Sequence, residues 1–370
     1  MIPLARPTLP RLSSIQNKLK NIFKSGMLTN ARYVKEFELG CAKFLDVENA
    51  VAVSSGTAAL ILVLKCLKLK GEVILSSFSF TSDASALLQC GLTPVFVDID
   101  PGTFNIDPDL IQKKINSKTV AILATHVFGN PCEVEKIEKI ARMNHLKVIY
   151  DAAHAFGSTY KGKSVFQFGD ASIVSFTPTK VMTTAEGGLI VVKDKNLPRI
   201  LELGRNNGDS FDRKEEFLGI TARMNEFSAI LGIEGLKILN KSLIRRLKIV
   251  DLYKKNLKNI PGISFQQVEP DYFSVYKDFT ILVNEQKLGI SRDNLLKELQ
   301  RRKIECKTYF YPPLHKKNIC FKYRNVFLPQ TDYVSGSIMS LPLYSHMPEK
   351  YVIKVCFVIK KLYEKQKNKQ

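Results

Sequence analysis

The chain is poor in the residues that staple or metallate a fold. Seven cysteines (Cys41, Cys66, Cys90, Cys132, Cys306, Cys320 and Cys356) are scattered, odd in number and free of any C-x-x-C pair, which argues against a disulfide framework or a zinc site. Five histidines show no metal-ligand spacing. No apolar run reaches the length of about eighteen residues that a membrane span needs, and no basic-then-apolar leader opens the sequence, so neither a span nor a secretion signal is expected. The expected location is cytoplasmic. No internal repeat and no low-complexity linker is visible. Acidic residues are also in deficit, 35 against 55 basic ones, for a formal net charge of +20. Such a balance can mark a nucleic-acid binder, yet no RNA- or DNA-binding motif accompanies it. The densest basic runs, Lys241–Lys248, Lys254–Lys258 and Lys360–Lys369, read as solvated helix faces and a tail. A positive field of this kind favours an anionic small molecule.

At 370 residues the chain exceeds the usual single core, and two domains are expected. Strand-like apolar segments fall near 50–54, 72–76, 94–98, 119–125, 146–150, 171–176 and 189–193. Over the first five they alternate with helix-like stretches, the pattern of a mainly parallel sheet with helices on both faces. The polar segment Gly204–Gly219 reads as a loop or hairpin at the site or a subunit boundary. A helical pattern from about Arg223 to Leu257 leads into a smaller α+β part, so the expected domains are 1–239 and 240–370.

Three local patterns carry chemistry. Lys180 lies on a short loop after the apolar strand Ala171–Phe176, between Pro178, which ends regular structure, and the turn Glu186-Gly187-Gly188. Alone it could be one more surface lysine. Asp151 follows the apolar run Leu146–Tyr150, at the carboxyl end of a strand, where open α/β sheets bind ligands; its plain alternative is a cap after a strand. The strand Ala50–Ser54, the turn Ser55-Gly56-Thr57 and the helix former Ala58–Leu67 aim free N–H groups and a positive helix end at one point, an anion site. A lysine for an imine, an acid for a pyridine nitrogen and a phosphate cradle are together what pyridoxal phosphate requires.

On these residues the chain resembles the DegT/DnrJ/EryC1/StrS family of pyridoxal phosphate-dependent nucleotide-sugar aminotransferases. The matching segments span nearly the whole chain and include VSSGTAAL at Val53–Leu60, SFSFTSDA at Ser77–Ala84, DAAHAFGSTYKG at Asp151–Gly162, SFTPTK at Ser175–Lys180, ARMNEFSAILG at Ala222–Gly232 and YPPLH at Tyr311–His315. The resemblance implies an aspartate aminotransferase-like fold (fold type I), an α/β cofactor domain and a smaller C-terminal α+β domain. It implies that Lys180 forms the aldimine with pyridoxal 5'-phosphate and that Asp151 contacts the pyridine nitrogen. It further implies that Gly56, Thr57 and Ser175 hold the phosphate, that Phe80 lies against the ring face, and that His154 lies near the ring hydroxyl. Phe80 has a core alternative beside Phe78, and His154 a structural one. The implied reaction carries an amino group from glutamate, through pyridoxamine phosphate, to a 3- or 4-keto-6-deoxy sugar on a nucleotide.

Many relatives have asparagine before ARM, reaching the cofactor phosphate of the neighbouring subunit, whereas this chain has Thr221. The resemblance thus implies a homodimer with shared sites and leaves the reach of Thr221 open. Arg223 is a substrate ligand or, preferentially, an ion-pair partner of Glu226. Tyr311 and His315 are candidate substrate contacts, the alternative being a Pro-rigidified turn. A sugar dehydratase of the family would carry histidine in place of Lys180, a cysteine desulfurase would need a reactive cysteine on a mobile loop, and a regulatory relative would be expected to lose Lys180 or Asp151.

Overall fold

The computed structural model describes residues 1–209 and 217–368. Its centre is a seven-stranded sheet in the order Val51–Val53, Gly188–Val192, Ala171–Ser175, Lys147–Asp151, Thr119–Thr125, Glu72–Ser76, Thr93–Val97. Every pairing is parallel except the two made by Gly188–Val192, which is antiparallel to both neighbours. The strands read as unbroken apolar runs because both faces are covered. Alternate residues go to opposite cores: Ile74, Ile122 and Ala124 to one, Val73, Leu75, Ala121 and Leu123 to the other. Helix Val134–Met143 shows how a covering element is specified. Its buried residues Val134, Ile137 and Ala141 fall on one stripe of a 3.6-residue period.

Helix Glu226–Leu257 runs 32 residues from an Asn225 cap that accepts the Ser228 N–H at 2.7 Å. Its first half packs through Ala229, Ile230 and Ile233 on the large-sheet core; its second half packs through Ile249, Val250, Tyr253 and Leu257 into a separate core. The expected boundary at 239/240 therefore lies inside one helix. The second core is built on the antiparallel sheet Ile263–Phe265, Phe279–Val283, Ile338–Leu341 and on helix Glu349–Lys367. Ile2 joins it, exchanging main-chain hydrogen bonds with Lys303 and Glu305, so the chain start packs with the later part. Arg246, in a basic run expected to be solvated, is 5% exposed. Residues 210–216, the middle of the expected loop or hairpin, lie outside the described residues; its flanks meet through an Asn206–Thr221 bridge. Among the described residues no helix is long and apolar enough to cross a membrane.

Candidate active site

Three neighbouring parallel strands, Thr119–Thr125, Lys147–Asp151 and Ala171–Ser175, end side by side, with Thr125 in register with Asp151 and Asp151 with Ile173. Thr125, Asp151, Ile173 and Ser175 open together on a cavity of about 300 Å³, at the carboxyl ends of the strands where such sheets take ligands. Asp151 is buried, and its Oδ1 accepts the Ala153 N–H at 2.8 Å. The backbone thus fixes one carboxylate oxygen and with it the carboxylate's orientation at the cavity wall.

The anion end of the cavity is made by helix Gly56–Cys66. A helix has no internal partner for its first N–H groups. Ser55 takes that of Ala58 with its hydroxyl at 3.1 Å and that of Ala59 with its carbonyl at 3.0 Å, which leaves those of Gly56 and Thr57 at the cavity both residues line. Close approach dictates two glycines here. A Cβ on Gly56 would lie 2.9 Å from Ser175 Cβ, and one on Gly188, which sits opposite Ser175, would lie 2.4 Å from the Ser55 carbonyl oxygen. The helix end, Ser175 and the neighbouring strand are therefore in backbone contact, and a phosphate-sized anion fits the donor set.

Lys180 comes from a loop held by its own hydrogen bonds. Its N–H donates to Thr177 O at 3.0 Å, Thr183 Oγ1 donates to Phe176 O at 2.9 Å, and the Phe176 N–H donates to Gly187 O at 2.9 Å. The side chain lines the cavity. Burial, and then the ammonium of Lys277, lower its pKa from 10.5 to about 8, against the pull of Asp151, Asp278 and Asp83. A lysine so tuned is available as a free amine near neutral pH.

His154 lines the same cavity with its ring parallel to those of Phe128 and Phe310, 6.0 and 6.1 Å away. Burial, and then Lys180 and Lys277, push its pKa well below the usual value, so it is neutral. Its Nδ1 accepts the Phe128 N–H at 3.3 Å, which assigns the proton to Nε2. Phe80 is 54% exposed and lines the cavity, whereas Phe78 is fully buried in the core.

Four sequence candidates are not brought to this cavity. Thr221 is exposed and donates to Asn207 Oδ1 at 2.7 Å; Arg223 is exposed and donates to Asn206 Oδ1 at 2.6 Å. Glu226, the partner expected for Arg223, instead accepts the N–H groups of Ala31, Tyr33 and Val34. Tyr311 is exposed with the Arg292 guanidinium 4.8 Å from its ring centroid. His315 is wholly buried, its Nδ1 2.7 Å from Ser77 Oγ. A histidine so enclosed braces the Pro-rich turn against the strand end Ser76-Ser77.

The structure adds residues that sequence reasoning passed over. Asp83, in helix Thr81–Gln89, is 1% exposed and lies behind Asp151. Its Oδ2 accepts the hydroxyls of Ser79 and, at 3.1 Å, of Thr125, while its Oδ1 has no donor. Burial, and then the Asp151 charge, push its carboxyl well above the usual range, which favours the protonated form of Asp83 beside the Asp151 carboxylate. A carboxylate set among Ser79, Thr81 and Ser82 was the available signal. Lys277, Tyr309 and Phe310 also line the cavity, contributed from beyond the long helix.

Comparison with known proteins agrees with this geometry. The model of the DegT/DnrJ/EryC1/StrS aminotransferase family matches residues 12–360. A dTDP-4-amino-4,6-dideoxy-D-glucose transaminase of Escherichia coli is 36% identical over 366 residues, 96% of each chain. The structure of DesI with its TDP-sugar product superposes with a TM-score of 0.93 at 29% identity, over 98% of this chain and 93% of that one. NtdA of Bacillus subtilis, solved with bound PMP, gives 0.86 at 28% identity over 94% and 82%. With a parallel-sheet scaffold, a lysine, a carboxylate and an anion cradle around one cavity, the chain belongs to the DegT/DnrJ/EryC1/StrS aminotransferase family, whose amino transfer depends on pyridoxal phosphate.

Proposed function

We propose that this chain moves an amino group from glutamate to the C4 carbonyl of a nucleotide-linked 4-keto-6-deoxy sugar. The observation that carries the reading is the meeting of Lys180, Asp151 and the Gly56–Thr57 helix end in one cavity; the substrate class follows the E. coli relative, whose name places its amine at C4. Bound pyridoxal phosphate supplies an electron sink that lets the carbon bearing nitrogen give up a proton. The chain's residues do the rest. Gly56, Thr57 and Ser175 would hold the phosphate, and Asp151 would keep the ring nitrogen protonated. His154, with its proton on Nε2, would donate to the ring oxygen, and Phe80 would pack on the ring face. Lys180 tethers the cofactor and, when its amine is free, takes and returns the proton at the substrate carbon.

The working unit in this reading is a cytoplasmic homodimer. Thr221 and Arg223 face out of their own protomer beside the exposed apolar residues Phe23, Met27 and Leu28. Main-chain bonds from Asn30 to Met224 and from Glu226 to Leu28 fix that proximity, and an apolar patch next to polar site residues suits a two-fold interface. The test is to incubate the purified protein with pyridoxal phosphate, glutamate and a panel of nucleotide-linked 3-keto and 4-keto sugars, and to read the ketone-to-amine mass change. Amination of a 4-keto sugar is expected; a panel left unchanged overturns the reading. Sedimentation beside the assay tests the dimer, which an active monomer would exclude.

A further inference from the structure

The cavity holds a second cation that the roles above leave unused. Among the described lining residues only Lys180 and Lys277 carry ammonium groups. Lys277 is 6% exposed. Its placement is over-determined by groups from three distant segments. Its N–H donates to Phe128 O at 2.8 Å. Arg246, itself buried, donates from one nitrogen to the carbonyls of Tyr276 and Lys277, at 2.7 Å each. The Lys277 ammonium donates to Asp278 Oδ2 at 2.8 Å and stands 5.1 Å from the centroid of the Tyr309 ring. A buried arginine is costly to desolvate, and here it clamps the backbone that presents a lysine to the cavity.

We infer that Lys277 is the anchor for a carboxylate of the amino donor. An ammonium has three N–H donors; one is taken by Asp278, and two remain for an anion. The Gly56–Thr57 helix end and Asp151 already have partners in the proposed reaction, the phosphate and the ring nitrogen, and the remaining charged group, Glu186, is itself an anion that offers a carboxylate nothing. Lys277 shares the cavity with Lys180 and is near enough to depress its pKa. An anion at Lys277 thus shares the cavity with the lysine that takes and returns the substrate proton. The α-carboxylate of an amino acid is one bond from that carbon, while the diphosphate of a nucleotide sugar is separated from C4 by the sugar ring. A carboxylate on Lys277 also cancels the charge that repels a protonated Lys180, so donor binding and the proton-accepting role of Lys180 are coupled.

The inference rests on the proposed amino transfer, and the experiment separates the two. In the holoenzyme, Lys277→Met, with Lys277→Gln should the first fail to fold, is compared with wild type in the two half-reactions. Binding of glutarate, which has carboxylates but no amine, is measured by calorimetry. The expected result is a loss of about tenfold to a hundredfold in the affinity for glutamate and for glutarate, the scale of one hydrogen bond to a charged group. KM for the nucleotide sugar should be unchanged, and Lys277→Arg should recover part of the loss. An equal loss with L-glutamine assigns the α-carboxylate, and a loss confined to glutamate the γ-carboxylate. Unchanged glutamate and glutarate affinity in a folded variant, or a loss that falls on the nucleotide sugar, overturns the assignment. A wild-type enzyme that accepts no amino group from glutamate would instead overturn the proposed function.

Discussion

Asp83 makes a prediction whose sign runs against the usual expectation for a buried aspartate. In the folded chain burial, and then the adjacent Asp151, raise its pKa well above 3.8, so it holds its proton to higher pH than in the unfolded chain, where the proton is lost as pH rises past 3.8. Its contribution to stability is therefore complete below the unfolded pKa and is lost as pH rises toward the folded one. Between those limits the wild type gives up about 1.4 kcal/mol per pH unit relative to a neutral side chain. Asp83→Asn keeps an acceptor for the Ser79 and Thr125 hydroxyls and puts an N–H donor at the other carboxyl oxygen's place, without a group that ionises. The variant should accordingly gain on wild type as pH rises. From pH 5 to pH 7 the stability difference should shift in its favour, by no more than the ceiling of about 2.7 kcal/mol set by two pH units. Urea unfolding of the cofactor-free proteins at both pH values reads this directly. Asp83→Leu, which removes the partner of both hydroxyls, should be destabilising by about 1–3 kcal/mol. A difference between wild type and Asp83→Asn that stays constant or shrinks with pH would refute a protonated Asp83.

Lys180 in the cofactor-free protein should react with an amine-directed reagent half-maximally near pH 8, read by peptide mass spectrometry, while ordinary lysines titrate more than two units higher; Lys277→Met should move that midpoint upward. Lys180→Ala should abolish turnover and the visible absorption of bound cofactor while leaving the unfolding transition in place, and full activity in that variant would exclude its role. Asp151→Asn should lower turnover by about a hundredfold or more, on the scale of 2–5 kcal/mol for a desolvated charge pair, which steady-state kinetics would show. Gly188→Ala, whose Cβ would meet the Ser55 carbonyl oxygen at 2.4 Å, should cost about 1–3 kcal/mol of stability and weaken cofactor binding by displacing the helix end. Thr221→Val should weaken cofactor binding in the dimer by about 0.5–1.5 kcal/mol, measured by cofactor titration; unchanged affinity would remove Thr221 from the shared site.

The legible parts of this molecule are those in which a functional group sits beside the element that places it. Asp151 ends a strand, Lys180 follows one, and Gly56–Thr57 opens a helix, so each is readable within ten residues of sequence. The seven strands were legible for a related reason: covered on both faces, they have no polar alternation to blur their edges, and the observed bounds fall within one residue of the apolar runs. Lys277, Tyr309 and Phe310 enter the same cavity, and Asp83 lies behind its wall, from elements joined only by sheet order and by the packing of two cores. In one dimension Lys277 is one basic residue among 55. His315 misled for the converse reason: a histidine in a Pro-rich turn looks like a mouth-loop ligand, but Ser77, 238 positions away, draws its ring inward. Arg246 shows that part of this hidden information had a local trace. The run KSLIRRLK reads as charge, yet Leu243, Arg246, Val250 and Tyr253 recur at helical spacing and are all buried. An arginine on an apolar stripe needs buried acceptors, and the ones it finds are the carbonyls of Tyr276 and Lys277. The helical spacing of apolar residues around Arg246 is the local trace that reading the run as a solvated face passed over.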